Sequence, residues 1–289
     1  MNVQSDYLKL SSELLCKLHK ELLVLLKEVD RICKKHNIKY SISSGTLLGA
    51  VRHKGFIPWD DDADIHMLRV DYEKFCKVCK EELDTQRFFF QNQDTDKNYN
   101  WVYGKLRLKN TVYHRVGQEH LKQENGIFID IFPIDNISSN IFIQYFFEYA
   151  CKICRKILWA PVGCKVSKNI VLKSIYELLT FIPKKITISV FNFFAKFYKS
   201  RNTDFVVSNN LDYRSKRGYA IRKDWYKNTV DIEFEGYKFQ ALEGYNELLN
   251  LVYGDYMTLP PIYQREGTCK ASYIKFSDGL EISVNKQID

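Results

Sequence analysis

Even the most apolar section of this sequence, residues 140–200, lacks an uninterrupted apolar run long enough to cross a bilayer, and the chain shows no internal repeat or low-complexity tract. No apolar h-region follows the N-terminus, where Asp6, Lys9 and Glu13 break the pattern. A cleavable signal peptide is therefore not expected, and the protein is expected in the cytoplasm. A disulfide framework is missing as well: the eight cysteines are irregularly spaced inside helix-like segments and read as reduced, buried thiols. Two C-x-x-C pairs, Cys76/Cys79 and Cys151/Cys154, raise a four-thiolate zinc site. Both pairs sit in continuous helical patterns without the glycine-bearing turn of a zinc knuckle, so core packing is the expectation.

With 289 residues and 45% hydrophobic side chains, the chain can bury a core sufficient for one large domain or two small ones. The net charge of +8 is concentrated: between Cys151 and Arg201 eleven Lys or Arg residues face a single acid, Glu177. This lysine-rich, aromatic stretch reads as helical, broken at Pro161-Val162-Gly163 and at Pro183. Two uses of it stay open: an anionic membrane surface as partner, or a helical lobe with a solvated basic face. Nucleic acid is not expected, because the aromatics follow helical core spacing and no nucleic-acid motif is present.

From about Asp6 to Lys35, Leu15, Leu18, Leu22, Leu25, Leu26, Val29 and Ile32 recur at helical spacing and predict a long amphipathic helix. Ile38 to Ile42 reads as a strand, Ser43-Ser44-Gly45-Thr46 as a turn, and Leu47 to His53 as a helix ended by Gly55 and Pro58. Asp62 to Met67 predicts a strand and Asp71 to Leu83 a helix. Trp101 to Leu108 alternates as a strand, with Trp101, Tyr103, Lys105 and Arg107 on one face. Gly126 to Phe132 predicts a strand ended by Pro133, with Asp135 capping a turn. A strand at Ile232 to Phe239 and a helix from Gly244 to Tyr253 follow. Over residues 30 to 135 these pieces make a mixed sheet with helices packed against it.

Asp60, Asp61, Asp62 and Asp64 place four like charges within five residues, an arrangement that is costly unless solvent or cations balance it. On a strand, Asp62 and Asp64 share a face, with Asp60 at the strand entrance, and their oxygens can converge on a hard cation, Mg²⁺ or Mn²⁺. An exposed acidic turn is the plain alternative. Context favours the site, because Ser44, Gly45 and Thr46 open a helix whose backbone N–H groups can receive phosphate. Asp130, a lone acid in an apolar strand, is the candidate third carboxylate. Lys105 and Arg107, and Arg52 at the helix end, are candidates to neutralise phosphate charge. His66 shares the Asp62 and Asp64 face and is expected to be packed or solvent-facing.

The segment from Ser44 to Asp64, SGTLLGAVRHKGFIPWDDDAD, closely resembles the signature of the LicD family. The likeness continues through Met67 to Phe75, Lys105-Leu106-Arg107 with Asn110-Thr111, Phe128 to Pro133, and Tyr253 to Met257 before Pro260-Pro261. LicD-like proteins have the nucleotidyltransferase fold and are related to fukutin. The resemblance implies an α+β fold, a nucleotidyltransferase-like mixed sheet with flanking helices plus a helical, basic insertion. In that scheme residues 1–139 form the catalytic core, 140–202 a basic subdomain for membrane surface or acceptor, and 203–289 a region completing the domain.

It also implies a metal-dependent transfer of a phospho-alcohol, such as phosphocholine from a CDP-alcohol donor, onto a glycan or lipid-linked glycan acceptor destined for lipopolysaccharide, teichoic acid or capsule. The family pattern makes Asp62, Asp64 and Asp130 the catalytic, metal-binding carboxylates and Gly45-Thr46 the phosphate turn, with work in the cytoplasm or at the inner face of the membrane. The chain departs from that pattern at Ala63, where a larger aliphatic is common, and at Ala241-Leu242-Glu243, where a proline is expected before Gly244. Two other readings stand beside this one: a nucleotidyltransferase attacking the α-phosphate of a nucleoside triphosphate, and a basic surface-binding protein with a degenerate site.

Overall fold

The computed structural model describes residues 7–210 and 220–284. Helix α1 (Ser12–His36) opens with Ser11, whose hydroxyl accepts from the Leu14 N–H, and closes on Asn37 in the left-handed region at φ 49°. Its predicted start near Asp6 lies outside the described residues. Leu18, Leu22, Leu25, Leu26, Val29 and Ile32 form its buried face, as their spacing requires.

Strand β1 (Ser41–Ser43) runs directly into α2 (Ser44–His53). After the loop that carries the aspartates come β2 (Asp64–Leu68), α3 (Arg69–Glu82), β3 (Phe88–Gln91), β4 (Gly104–Leu108), β5 (Val112–Arg115) and β6 (Phe128–Ile137). The basic section forms α4 (Ile141–Val166), α5 (Ile170–Leu179) and α6 (Lys184–Lys196). Strands β7 (Phe205–Val207) and β8 (Ile221–Arg222) follow, then the hairpin β9 (Thr229–Phe234) and β10 (Tyr237–Leu242), α7 (Tyr245–Tyr253), and the pair β11 (Ala271–Lys275) and β12 (Glu281–Ser283).

The main sheet has the order β1-β2-β6-β4-β3, with β7 paired to the far end of β6 and β8 to β7. Only β2 and β6 run parallel; the other pairs are antiparallel. This is a mixed α+β sheet, in accord with the class expected from the sequence. A second sheet joins β5 to β11 and β12. Strand β6 is the spine because its run of apolar residues is buried on both faces and it pairs with three different strands.

Several local expectations fail. Strand β6 continues through Pro133 to Ile137. The Asp130 N–H donates to the Ala63 carbonyl on the β2 side, so by alternation Pro133 directs its missing N–H to the opposite edge. There the ladder to β4 has ended at Ile131 and that to β7 begins only at Asp135, so no bond is lost. Asp135, expected to cap a turn, is a buried strand residue. It accepts two bonds from Arg69 at 2.7 and 2.8 Å and one from Asn209 at 3.0 Å. Helix α4 likewise runs through Pro161 instead of breaking there, held by buried Leu158, Ala160 and Val162 on either side.

Cys33 and Cys79 pack in the main core, while Cys151 and Cys154 join Phe191 and Ala195 in a small cluster between α4 and α6. The expected strand at Ile232 to Phe239 is a hairpin, turning at Glu235 and Gly236, both at positive φ (52° and 74°).

The Arg69–Asp135 pair clamps the end of β2 and the start of α3 onto β6. Replacing Arg69 by Leu leaves a buried carboxylate without its cation and is expected to cost about 3–5 kcal/mol in denaturant unfolding. The double variant R69L/D135L is expected to recover most of that loss. Equal instability of the two variants would show that the clamp contributes packing alone.

Candidate active site

The strand-to-helix turn at the head of α2 is tightly specified. Ser43 is extended (φ −143°, ψ 177°) and Ser44 turns into the left-handed region at φ 50°, a conformation that side-chain-bearing residues seldom adopt. That turn aims the Ser44 hydroxyl at the Asp64 carboxylate, while Thr46 Oγ1 accepts from the Asp64 N–H at 2.9 Å. Gly45 is required by close approach, since a Cβ there would collide with the carboxylate of Asp60. Both ends of the acidic segment are thus seated against the first turn of α2.

Asp60, Asp61 and Asp62 lie in the loop ahead of β2, and Asp64 opens the strand. Asp61 is tied to the segment before β11: its Oδ1 accepts from the Cys269 N–H at 2.8 Å, it also accepts from the Thr268 N–H, and its carboxylate fills the space beside Gly267. The Asp60 backbone carbonyl is fixed by His19 Nε2 at 2.7 Å, and the His19 ring is stacked on Phe56. Among the described residues, Asp60, Asp61 and Asp62 each offer an oxygen within 4.8 Å of the others, a grouping able to hold a metal ion.

The parallel pairing of β2 with β6 sets Asp64 directly beside Asp130, and the antiparallel pairing of β6 with β4 sets Asp130 beside Lys105. The electrostatics follow from this crowding. Burial, then Asp61 and Asp130, raise the Asp62 carboxyl to about 7. Burial, then Asp62 and Asp130, hold Asp64 well above the usual carboxylate range, and the Ser44 bond offsets part of that rise. Asp60 is raised by burial and by Asp62 and Asp61.

Lys105, 1% exposed, donates to Asp130 Oδ1 and lies 3.5 Å above the Phe128 ring. Burial pulls its ammonium down to about 8, against the opposing pull of Asp130.

The other sequence candidates separate. Arg107 is buried one residue pair behind Lys105 and donates to Gln91 Oε1 and to the Gly126 carbonyl, both at 2.6 Å, so it braces β3 and β4. Arg52 stands at the other end of α2, where it donates to the Tyr256 carbonyl at 2.9 Å on the rim. His66 is buried, bonded to Tyr226 at 3.1 Å and held neutral down to about pH 3 by burial.

Three residues that sequence reasoning did not single out complete the surroundings. Arg115, at the end of β5, lies in the field of Cys269, Tyr103, Asp130 and Asp62, which hold it firmly charged. Tyr103 faces Asp130 and Asp64, and Tyr253, at the end of α7, faces Asp64, Asp60 and Asp62. The alternating Val112-Tyr113-His114-Arg115 run was the available signal for Arg115. Its meeting with the aspartates depends on a sheet that no local pattern specifies. Tyr103 and Arg115 also line a cavity of about 290 Å³ under α4, with Trp101, Lys152 and Trp159, the two indoles 5.5 Å apart.

A mixed sheet whose adjacent parallel strands carry facing carboxylates, beside a serine–glycine–threonine turn that opens a helix, defines a nucleotidyltransferase-type domain. The pattern described as LicD/FKTN/FKRP, nucleotidyltransferase domain, matches residues 37–160. Lipopolysaccharide cholinephosphotransferase LicD of Haemophilus influenzae is 32% identical over 254 residues, covering 84% of this chain and 92% of that protein. An uncharacterised protein of Rickettsia prowazekii is 46% identical over 145 residues, 42% of this chain and 52% of its own. The chain belongs to the LicD family and is a phosphotransferase enzyme.

The raised Asp62 carboxyl gives a prediction with a definite sign. Between pH 4 and 7 the folded protein holds a proton on Asp62 that the unfolded chain has released, so this group's contribution to stability falls as pH rises. His66 gives the opposite slope over much of that range, which makes the difference between proteins the useful quantity. In chelator, Asp62→Asn is expected to match wild type near pH 4 and to exceed it by about 1 kcal/mol or more at pH 8. A pH-independent difference in chemical denaturation would contradict the crowding.

Proposed function

We propose that this enzyme transfers a phospho-alcohol, phosphocholine or a close relative, from a CDP-activated donor to a sugar hydroxyl of a cell-surface glycan or its lipid-linked precursor. What supports this reading is the register that sets Asp64 beside Asp130, together with the mutual repulsion of Asp62, Asp64 and Asp130, next to the Ser44-Gly45-Thr46 turn. The Haemophilus relative, named for cholinephosphate transfer to lipopolysaccharide, supports the choice of group and acceptor.

The donor set consists of carboxylate oxygens raised by burial and then by mutual repulsion, with Lys105 and Arg115 as the facing cations. A hard divalent cation fits that chemistry, and Mg²⁺ or Mn²⁺ would be held by Asp62 and Asp64 with Asp60 and Asp130 close by. Bound there, it would supply neutralisation of the donor's phosphate charge and of the departing nucleotide.

The chain's own groups do the rest. Ser44 orients the Asp64 carboxylate, and the Gly45 and Thr46 backbone directs the start of α2 toward phosphate. Lys105 and Arg115 draw the anionic donor in. The acceptor oxygen bonds to the phosphorus bearing the alcohol, its proton passes to one carboxylate of the cluster, and the P–O bond to CMP breaks. Arg107 stiffens the strand that carries Lys105. Residues 140–202 serve the acceptor side, and the enzyme works in the cytoplasm, at the inner face of the membrane where lipid-linked precursors are presented.

Incubation with Mg²⁺ and a panel of CDP-alcohols is expected to release CMP, and Asp62→Asn or Asp64→Asn to lower kcat by about 10³-fold or more without loss of fold. Wild-type turnover in both variants would sink the assignment. Pyrophosphate released from a nucleoside triphosphate, with no CMP from any CDP-alcohol, would replace it with nucleotidyl transfer.

A further inference from the structure

Among the described residues, eighteen of the twenty-seven large hydrophobic side chains that stand exposed lie between Ile141 and Phe197. They are ordered in stripes. At about 100° per residue, Phe142, Tyr145, Phe146, Tyr149 and Ile153 of α4 fall on the side opposite its buried Phe147, Cys151, Cys154 and Leu158. Helix α6 repeats the pattern, with Ile186, Val190, Phe193 and Phe197 outward and Phe191 and Ala195 inward.

Helix α5 is buried only through Tyr176, which closes over Gly163 of α4, and it exposes Ile170, Val171, Ile175 and Leu178. The elbow after it ends in Phe181, 83% exposed. No single helix among the described residues is long and apolar enough to cross a membrane; α5 and α6 are so only as a pair, and they meet at a 90° bend.

Apolar exposure on this scale marks a surface that meets something. Charge selects the occupant. Between Cys151 and Arg201 eleven cations stand against Glu177; Arg155 pairs with Glu148, and Lys196 and Lys199 with Glu73, and the excess that remains would set lysines against lysines if two copies of this chain met face to face. An anionic bilayer complements both features. We propose that the outward face of α4, α5 and α6 docks in the plane of an anionic membrane surface, with Phe142, Phe146, Phe181 and Phe193 among the acyl chains and the lysines at the headgroups.

Lys152, Arg155, Lys156 and Trp159, which line the cavity beside Arg115, lie about a quarter turn of α4 from the apolar stripe. Docking therefore leaves that cavity, and the carboxylates beyond it, open along the membrane plane where a lipid-linked hydroxyl travels. This consequence for the site rests on the transfer proposed above; the docking does not.

Flotation of the full-length protein with vesicles, in the absence of donor and added cation, tests the docking. The protein is expected to float with phosphatidylcholine vesicles containing about one-third phosphatidylglycerol, and less so as salt rises. The variant F142S/F146S/F193S is expected to lose about ten-fold or more in partitioning. Phe181→Asp, at the exposed elbow, is expected to weaken binding without loss of fold by circular dichroism and melting.

Failure of wild type to float with the anionic vesicles would overturn the proposal. Binding by folded Phe181→Asp equal to wild type would overturn it too, as would a lipid-free dimer that the triple variant converts to monomer. Flotation without CMP release from any CDP-alcohol would count against the transfer reaction and leave the docking standing.

Discussion

The repulsion among carboxylates gathered on two neighbouring parallel strands is the constraint around which this molecule is arranged. Register on β2 and β6 places Asp64 beside Asp130, with Asp62 and Asp60 just ahead. Much of the local architecture can be understood as containing that charge. Ser44 takes an unfavourable backbone conformation that gives its hydroxyl to Asp64, Lys105 is buried at the cost of solvation to meet Asp130, and Arg115 arrives from another sheet. Buried carboxylates crowded in this way are what functional sites commonly carry.

Farther out, the Arg69–Asp135 clamp and the Arg107–Gln91 bond fix the strands in depth, so that the register cannot slip and rotate a carboxylate to the wrong face. The layering is economical. Arg115 lines the cavity under α4 and Lys105 meets Asp130, while Arg107, one step behind, is saturated by backbone and side-chain oxygens. Lys105 and Arg107 lie two residues apart on one strand face, yet one meets the carboxylates while the other is structural.

Local pattern in the sequence was enough to place α1, the turn at Ser44, α2, β2 and α3, because each is written in spacing, capping and punctuation within a few residues. The arrangement of the aspartates was not legible there: β2 begins only at Asp64, so Asp60 and Asp62 lie in a loop where period two is not imposed, and Asp61 stays beside both. Nor was pairing across the chain. Pro133 is a strand breaker by local rules, and only the handover of β6 from β4 to β7 makes it harmless. Pro161 is tolerated because apolar neighbours on both sides of it are buried. Asp135 looked like a turn residue because Arg69, its partner, lies 66 positions away, and Arg115 was silent for the same reason.

The bond from the Cys269 N–H to Asp61 joins positions 208 residues apart. During synthesis the aspartate motif leaves the ribosome well ahead of the segment that fixes it. Until then the loop bearing Asp60 and Asp62 lacks its anchor, and Arg115 lacks the β11 strand that seats its own. The acidic sequence is thus made long before the segment that holds it in place.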